Sequence, residues 1–177
     1  IPDFTGVLEA FQTLRAVLFA TMMEPILHQH RNKIAPEIIG NIERGLNITP
    51  PQIFEAERIR IELFKKILDF FETHDFLICP AASIAPFPVD QRYVTEIDGK
   101  PCETYIDWFS ITFALTMTAC PTISVPCGFT SEGLPVGFQI MGKPRGEAAL
   151  LLVAKRFEQA IGISAKLPIT PQKLKLI

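Results

Sequence analysis

The chain has almost no surplus of charge: 17 Lys+Arg stand against 19 Asp+Glu in 177 residues, for a formal net charge of −2. A chain so close to neutral lacks the broad positive field on which non-specific nucleic-acid binding depends. It lacks any apolar run approaching the ~18 residues of a membrane span. Cysteine is sparse and unclustered. Cys79, Cys102, Cys120 and Cys127 form no C-x-x-C and no C-x-x-H pair. Structural zinc needs thiolates or imidazoles at short repeated intervals, so no metal is expected. A domain of this length builds its core without disulfides, and the thiols are expected to be reduced and mostly buried. A phosphate-cradling loop is missing too, because Gly137 and Gly142 bracket a strand instead of opening a helix.

What remains is a globular composition, 48% hydrophobic and 20% charged, too apolar for intrinsic disorder. Length and composition predict one domain over residues 1–177, soluble and cytoplasmic, needing no cofactor. The chain opens Ile1-Pro2-Asp3, with no Met and no basic, apolar leader. That start is compatible either with a few missing residues or with a piece of a longer protein.

Periodicity predicts a first helix over about Thr5–Arg31, with Phe11, Leu14, Leu18 and Met22 on its buried face and a kink or break at Pro25. A short helix follows, with Pro36 in its first turn and Gly45 just past its end. Thr49-Pro-Pro-Gln52 matches a capping box that starts a helix to about Thr73, with Ile53, Ala56, Leu63, Phe64, Ile67, Leu68 and Phe71 as its apolar stripe. Phe76–Cys79 reads as a strand buried on both faces. Residues 80–102 hold Pro80, Pro86, Pro88 and Pro101, which predicts a long ordered loop of the functional kind. A helix over about Glu103–Met117 carries Tyr105, Trp108 and Phe109. Thr122–Phe129 and Val136–Met141 read as a hairpin, the first strand burying Ile123, Val125, Cys127 and Phe129. A last helix from Gly146-Glu147 to Gly162 buries Leu150, Leu151, Ala154, Phe157 and Ile161, and residues 163–177 read as a loosely held tail. The class is α/β, mainly helices with a few strands and a hairpin near 122–142. Three strands are few for so many apolar helical stripes, so either the helices bundle or part of the sheet lies elsewhere.

Catalytic patterns are thin. No serine among Ser83, Ser110, Ser124, Ser131 and Ser164 lies in a G-x-S-x-G elbow. His74 and Cys79 read as a helix-end histidine and a strand thiol rather than a nucleophilic pair. His28 and His30, two apart on a helix, diverge and share no metal. Glu55 and Glu57 belong to a solvated face. Tyr105 and Trp108 either line an apolar pocket or belong to the core.

The second half carries a resemblance. Pro121-Thr-Ile-Ser-Val-Pro-Cys-Gly-Phe129 and Gly133-Leu-Pro-Val-Gly-Phe-Gln-Ile-Met-Gly142, followed by Leu150-Leu151 and Phe157-Glu158 on a helix, resemble the C-terminal region of the amidase-signature family. Asp75-Phe-Leu-Ile-Cys-Pro80, Ala85-Pro86-Phe87 and Tyr105-Ile-Asp-Trp108 fit the same pattern, and the resemblance spans residues 49–162. Thr116, Ala119 and Thr122 stand where the family usually has Asn, Gly and Ala. The resemblance implies the C-terminal part of an α/β/α fold and amide hydrolysis through an acyl-enzyme, using a serine, a second serine in a cis peptide, and a lysine base kept neutral by burial. Backbone N–H groups would hold the oxyanion. That triad lies in a Gly/Ser-rich segment upstream of the region matched. With no Gly-Ser-Ser run here, none of its members carries over. The resemblance leaves Tyr105, Trp108 and Thr116 as expected substrate-binding residues and a small amide as the partner, with room for a homodimer. A transfer RNA would be a partner only if the chain were the A subunit of a tRNA-dependent amidotransferase. A free-standing module without catalysis is the further alternative.

Overall fold

The computed structural model describes residues 1–162, so the predicted tail at 163–177 lies outside the described residues. Three helices come first: α1 (Val7–His30), α2 (Pro36–Leu46) and α3 (Pro50–Thr73). β1 (Phe76–Pro80) precedes the long loop. Within that loop β2 (Glu96–Ile97) and β3 (Lys100–Pro101) form a small ribbon. α4 (Ser110–Thr116), β4 (Thr122–Phe129), β5 (Pro135–Gly142) and α5 (Glu147–Ile161) complete the order. Among the described residues no helix is long and apolar enough to cross a membrane.

α3 begins where its capping box predicts, with the Thr49 N–H donating to Gln52 Oε1 at 2.9 Å. Its Ala56, Leu63, Ile67 and Phe71 are buried against Val7 and Ala10 of α1, Leu115 of α4 and Met141 of β5. Each of the large side chains in such a cluster is worth about 1.5–3 kcal/mol. β4 and β5 form the expected antiparallel hairpin, and β1 adds to its other side in the order β1-β5-β4, with Ile78 opposite Ile140. α5 lays Leu150 and Ala154 on that sheet with Val125 and Ile140, and Phe157 meets Phe138 edge-on at 4.6 Å. Gly162 ends α5 at φ 65°, a left-handed cap that suits glycine.

Several expectations are corrected. On α1 the buried side is Ala10, Thr13, Ala16 and Ala20, while Leu18 and Met22 are 55% and 64% exposed. The small side chains face inward because α2 crosses there. A Cβ on Gly45 would sit 2.0 Å from the Ala16 carbonyl oxygen and 2.7 Å from Ala20 Cβ. Gly45 therefore lies inside α2 as a contact point, not beyond its end as a cap. α1 continues through Pro25 without dividing. Leu68 of α3 and Leu151 and Ile161 of α5 also face outward.

β1 is not covered on both faces: it is an edge strand, and Ile78 is 62% exposed. On β4 a bulge between Pro126 and Gly128 breaks the alternation, so Cys127 and Phe129 turn outward. The helix expected from Glu103 is shortened to a 3-10 turn at Asp107–Phe109 followed by α4. The Asp107 carboxylate accepts from the Thr104 N–H at 2.8 Å and from Thr104 Oγ1, which holds 103–106 in a turn. The four cysteines are free but none is fully buried, and Cys127 is exposed. The Asp98-Gly99 turn between β2 and β3 has φ 50° and 72°, and an Asp-Gly pair of this kind is a type I′ hairpin signal.

Candidate functional site

The loop that leaves β1 folds back over the start of β5 and encloses a 590 Å³ pocket with Trp108 in its wall. The loop is pinned at its root. The Ala81 N–H donates to the Gly137 carbonyl at 3.0 Å, Thr112 Oγ1 donates to the Ala81 carbonyl at 2.8 Å, and the buried Gln139 amide donates to the Pro80 carbonyl at 3.1 Å. Gly137 is required here, because a Cβ on it would meet the Val125 carbonyl oxygen at 2.9 Å. Further along, Phe87 meets Trp108 edge-on with centroids 5.4 Å apart, and Pro86 and Ser83 complete that side of the lining.

Among the described residues no ionisable side chain lines this pocket. It can seat a flat or apolar group through Phe87 and Trp108 and fix it with backbone groups and the Ser83 hydroxyl. A second cavity of 540 Å³ lies between α1, α3, β1 and α4, lined by Phe4, Leu8, Phe70, Ile78, Ile111 and Ala114 among others. Its lining is mostly apolar, with Ser110 and Cys79 as the polar side chains in it. Cys79 lies in its wall, where burial pushes the thiol above its ordinary pKa while the Gln139 amide pulls the other way.

Of the three residues singled out by sequence, only Trp108 lines the Phe87 pocket. Tyr105 points instead toward α1 and α2, where its hydroxyl accepts hydrogen bonds from Arg15 and, at 3.0 Å, from Asn41 Nδ2. Its backbone carbonyl accepts the Trp108 indole N–H at 3.1 Å. Thr116 lies at the exposed end of α4 with its hydroxyl donating to the Phe113 carbonyl at 2.7 Å. Sequence reasoning misses the part played by Arg15 and Asn41. They stand 90 and 64 residues from Tyr105 in sequence, and no local pattern joins them.

The histidines and paired glutamates keep their structural roles. His74 ends α3, with Nδ1 3.1 Å from the Phe70 carbonyl and its ring stacked on Phe70. Glu55 and Glu57 pair with Arg58 and Arg60 at the surface. Among the described residues there is no cluster of three side chains able to hold a metal ion.

Comparison with known proteins follows the same lines. The family model described as Amidase matches residues 5–151. The A subunit of the glutamyl-tRNA(Gln) amidotransferase of Alkaliphilus metalliredigens is 27% identical over 166 residues, which is 87% of this chain and 31% of the relative. The acylamidase of Rhodococcus erythropolis is 32% identical over 129 residues, 72% of this chain and 27% of that protein. Among solved structures, a bacterial aryl acylamidase of the amidase-signature enzymes superposes with a TM-score of 0.78 at 22% identity, covering 94% of this chain and 37% of that one. The chain thus spans about a third of the length of the proteins it matches. The family-model match over most of its length makes this chain a member of the amidase family.

Proposed function

We propose that residues 1–177 are a single domain forming the C-terminal portion of an amidase-signature amide hydrolase. In this reading the serine, cis-serine and lysine of the acyl-enzyme mechanism belong to another part of the complete protein. This portion completes the sheet and supplies one wall of the substrate pocket, with Trp108 touching the substrate, Tyr105 behind it and Thr116 at its border. The observation that carries the reading is the Trp108–Phe87 pocket itself. It is shaped to hold an apolar or aromatic amide, and among the described residues no ionisable side chain lines it. The uncovered edge at β1, with Ile78 outward, supports a sheet that continues beyond these strands.

Hydrolysis of aryl and acyl amides by the complete protein tests the proposal. Trp108→Ala should raise KM about tenfold, equivalent to ~1.4 kcal/mol of binding, with a smaller change in kcat. The 177-residue chain by itself should release no amine from the same amides. Turnover by that chain, titratable with a serine-acylating reagent and absent from a mock preparation, overturns the assignment of the reacting groups elsewhere.

A second reading, the A subunit of a tRNA-dependent amidotransferase, is favoured by the amidotransferase relatives from Alkaliphilus metalliredigens and Prochlorococcus marinus. Co-purification with partner proteins of such a complex or with transfer RNA would select it over a free-standing amidase.

A further inference from the structure

We propose that Arg15 and Asn41 act through Tyr105 as positioning residues for Trp108, so that the crossing of α1 and α2 sets the wall of the substrate pocket. The functional half of this inference rests on the reading of that pocket as a substrate site; the structural half does not.

Three segments meet at one phenol oxygen. From α1, the Arg15 guanidinium donates to the Tyr105 hydroxyl with one nitrogen and to Asn41 Oδ1 at 2.9 Å with another. From α2, Asn41 Nδ2 donates to the same hydroxyl at 3.0 Å and to the Glu37 carbonyl at 2.8 Å, which fixes its rotamer. The guanidinium carbon lies 5.4 Å from the Tyr105 ring centroid and 4.8 Å from that of Phe19. Arg15 thereby holds the tyrosine by its face as well as its oxygen. The planar fork of arginine and the fixed amide of Asn41 leave the phenol little freedom.

The constraint reaches Trp108 along the backbone. The Tyr105 carbonyl accepts the indole N–H at 3.1 Å, so the backbone that carries the phenol also orients the indole. A second tie acts one residue earlier: the buried Gln12 amide of α1 donates to Thr104 Oγ1 at 3.1 Å, and Thr104 in turn donates its N–H to Asp107 at 2.8 Å. Residues 104–108 are therefore held to α1 at two points, and the indole they present meets Phe87 across the pocket wall. A tyrosine present only for stability would need no such arrangement toward the indole; losing its hydroxyl would lower the melting temperature and leave Trp108 unmoved in the folded state.

The test reads Trp108 directly. The complete protein is labelled with 5-fluorotryptophan, and the Trp108 19F resonance is assigned by its disappearance in Trp108→Phe. In Tyr105→Phe, Arg15→Met and Asn41→Leu the resonance should shift or broaden, and Arg15→Lys should recover part of the change. Arg31→Gln, which removes a surface pair with Glu43, should leave it in place. With an amide substrate, KM should rise about fivefold, the loss expected for one net hydrogen bond, while kcat holds. A Trp108 resonance that superimposes on the wild-type signal in all three variants overturns the proposal. If Arg15→Met fails to fold, Tyr105→Phe, which removes a single oxygen, decides alone. A saturating amide substrate that leaves the Trp108 resonance unmoved in the unmodified protein refutes the pocket assignment instead, and the variants still decide the positioning role.

Discussion

Two glycines of α2, five residues apart, should respond to the same substitution with opposite signs. Gly40 is exposed, and a Cβ built on it meets nothing within 4 Å. Gly40→Ala removes the entropy that glycine costs a helix interior and should stabilise the protein by about 0.5–1 kcal/mol. At Gly45 the same methyl would stand 2.0 Å from the Ala16 carbonyl oxygen and 2.6 Å from its carbonyl carbon, distances that real Cβ atoms do not make. Ala16 is fully buried and the obstacle is backbone, so no rotamer change relieves it; α2 must withdraw from α1. Overpacking of this kind costs about 1–3 kcal/mol, against the ~1 kcal/mol of helix propensity that alanine returns. Gly45→Ala should thus be net destabilising, by up to about 2 kcal/mol. For a chain of this size each kcal/mol moves Tm by roughly 2–4 °C. The two variants should therefore separate on either side of the parent in urea and thermal unfolding followed by far-UV circular dichroism. A Gly45→Ala protein as stable as Gly40→Ala would refute the close crossing of α1 and α2.

Other expectations follow from single contacts. Ala119 holds φ 54°, a conformation that costs a side chain about 1–2 kcal/mol. After the unfolded-state entropy that glycine adds, Ala119→Gly should raise stability by about 0.5–1 kcal/mol, and an unfolding midpoint that falls would contradict it. Gln52→Ala removes the acceptor of the Thr49 N–H and should cost about 0.5–1 kcal/mol in chemical denaturation; no change would mean that water replaces the cap without loss. Asp3 is held well below its ordinary pKa of 3.8, first by the Lys66 ammonium at 2.7 Å and then by the Thr5 hydroxyl and N–H. Because the folded pKa is the lower one, its stabilising effect is complete above pH 3.8 and fades as pH falls toward the folded value. The gap in urea midpoint between the parent and Asp3→Asn should accordingly be constant near neutrality and close below about pH 4; a gap that widens on acidification would refute the pairing.

The parts of the fold legible in sequence are those written in local chemistry. The Thr49–Gln52 cap, the 122–142 hairpin and the Gly162 stop each depend on residues within a few positions of one another. What cannot be read is which apolar surface is covered by what. Phe11, Leu14, Leu18 and Met22 share a periodicity, yet Leu18 and Met22 face outward because α2 approaches the small side of α1. A helical stripe marks a surface that needs covering and does not name the covering element. The candidate site divides in the same way. Trp108 stands in a recognisable motif, whereas the contacts of Arg15 and Asn41 with Tyr105 exist only after two helices cross, and no spacing encodes that crossing.

The placement of β1 also orders events in time. β4 and β5 are joined by a short turn and can zip up locally, whereas Phe76–Pro80 must find Phe138–Gly142 across roughly sixty intervening residues. Closing so long a loop is the slow kind of step, since chain entropy is lost before any contact is gained. The Trp108 pocket has its floor at that very junction, between Pro80 and Gly137. The pocket therefore takes shape only once β1 has joined β5, and a ligand that fits it can reward only molecules that have already completed that distant strand pairing.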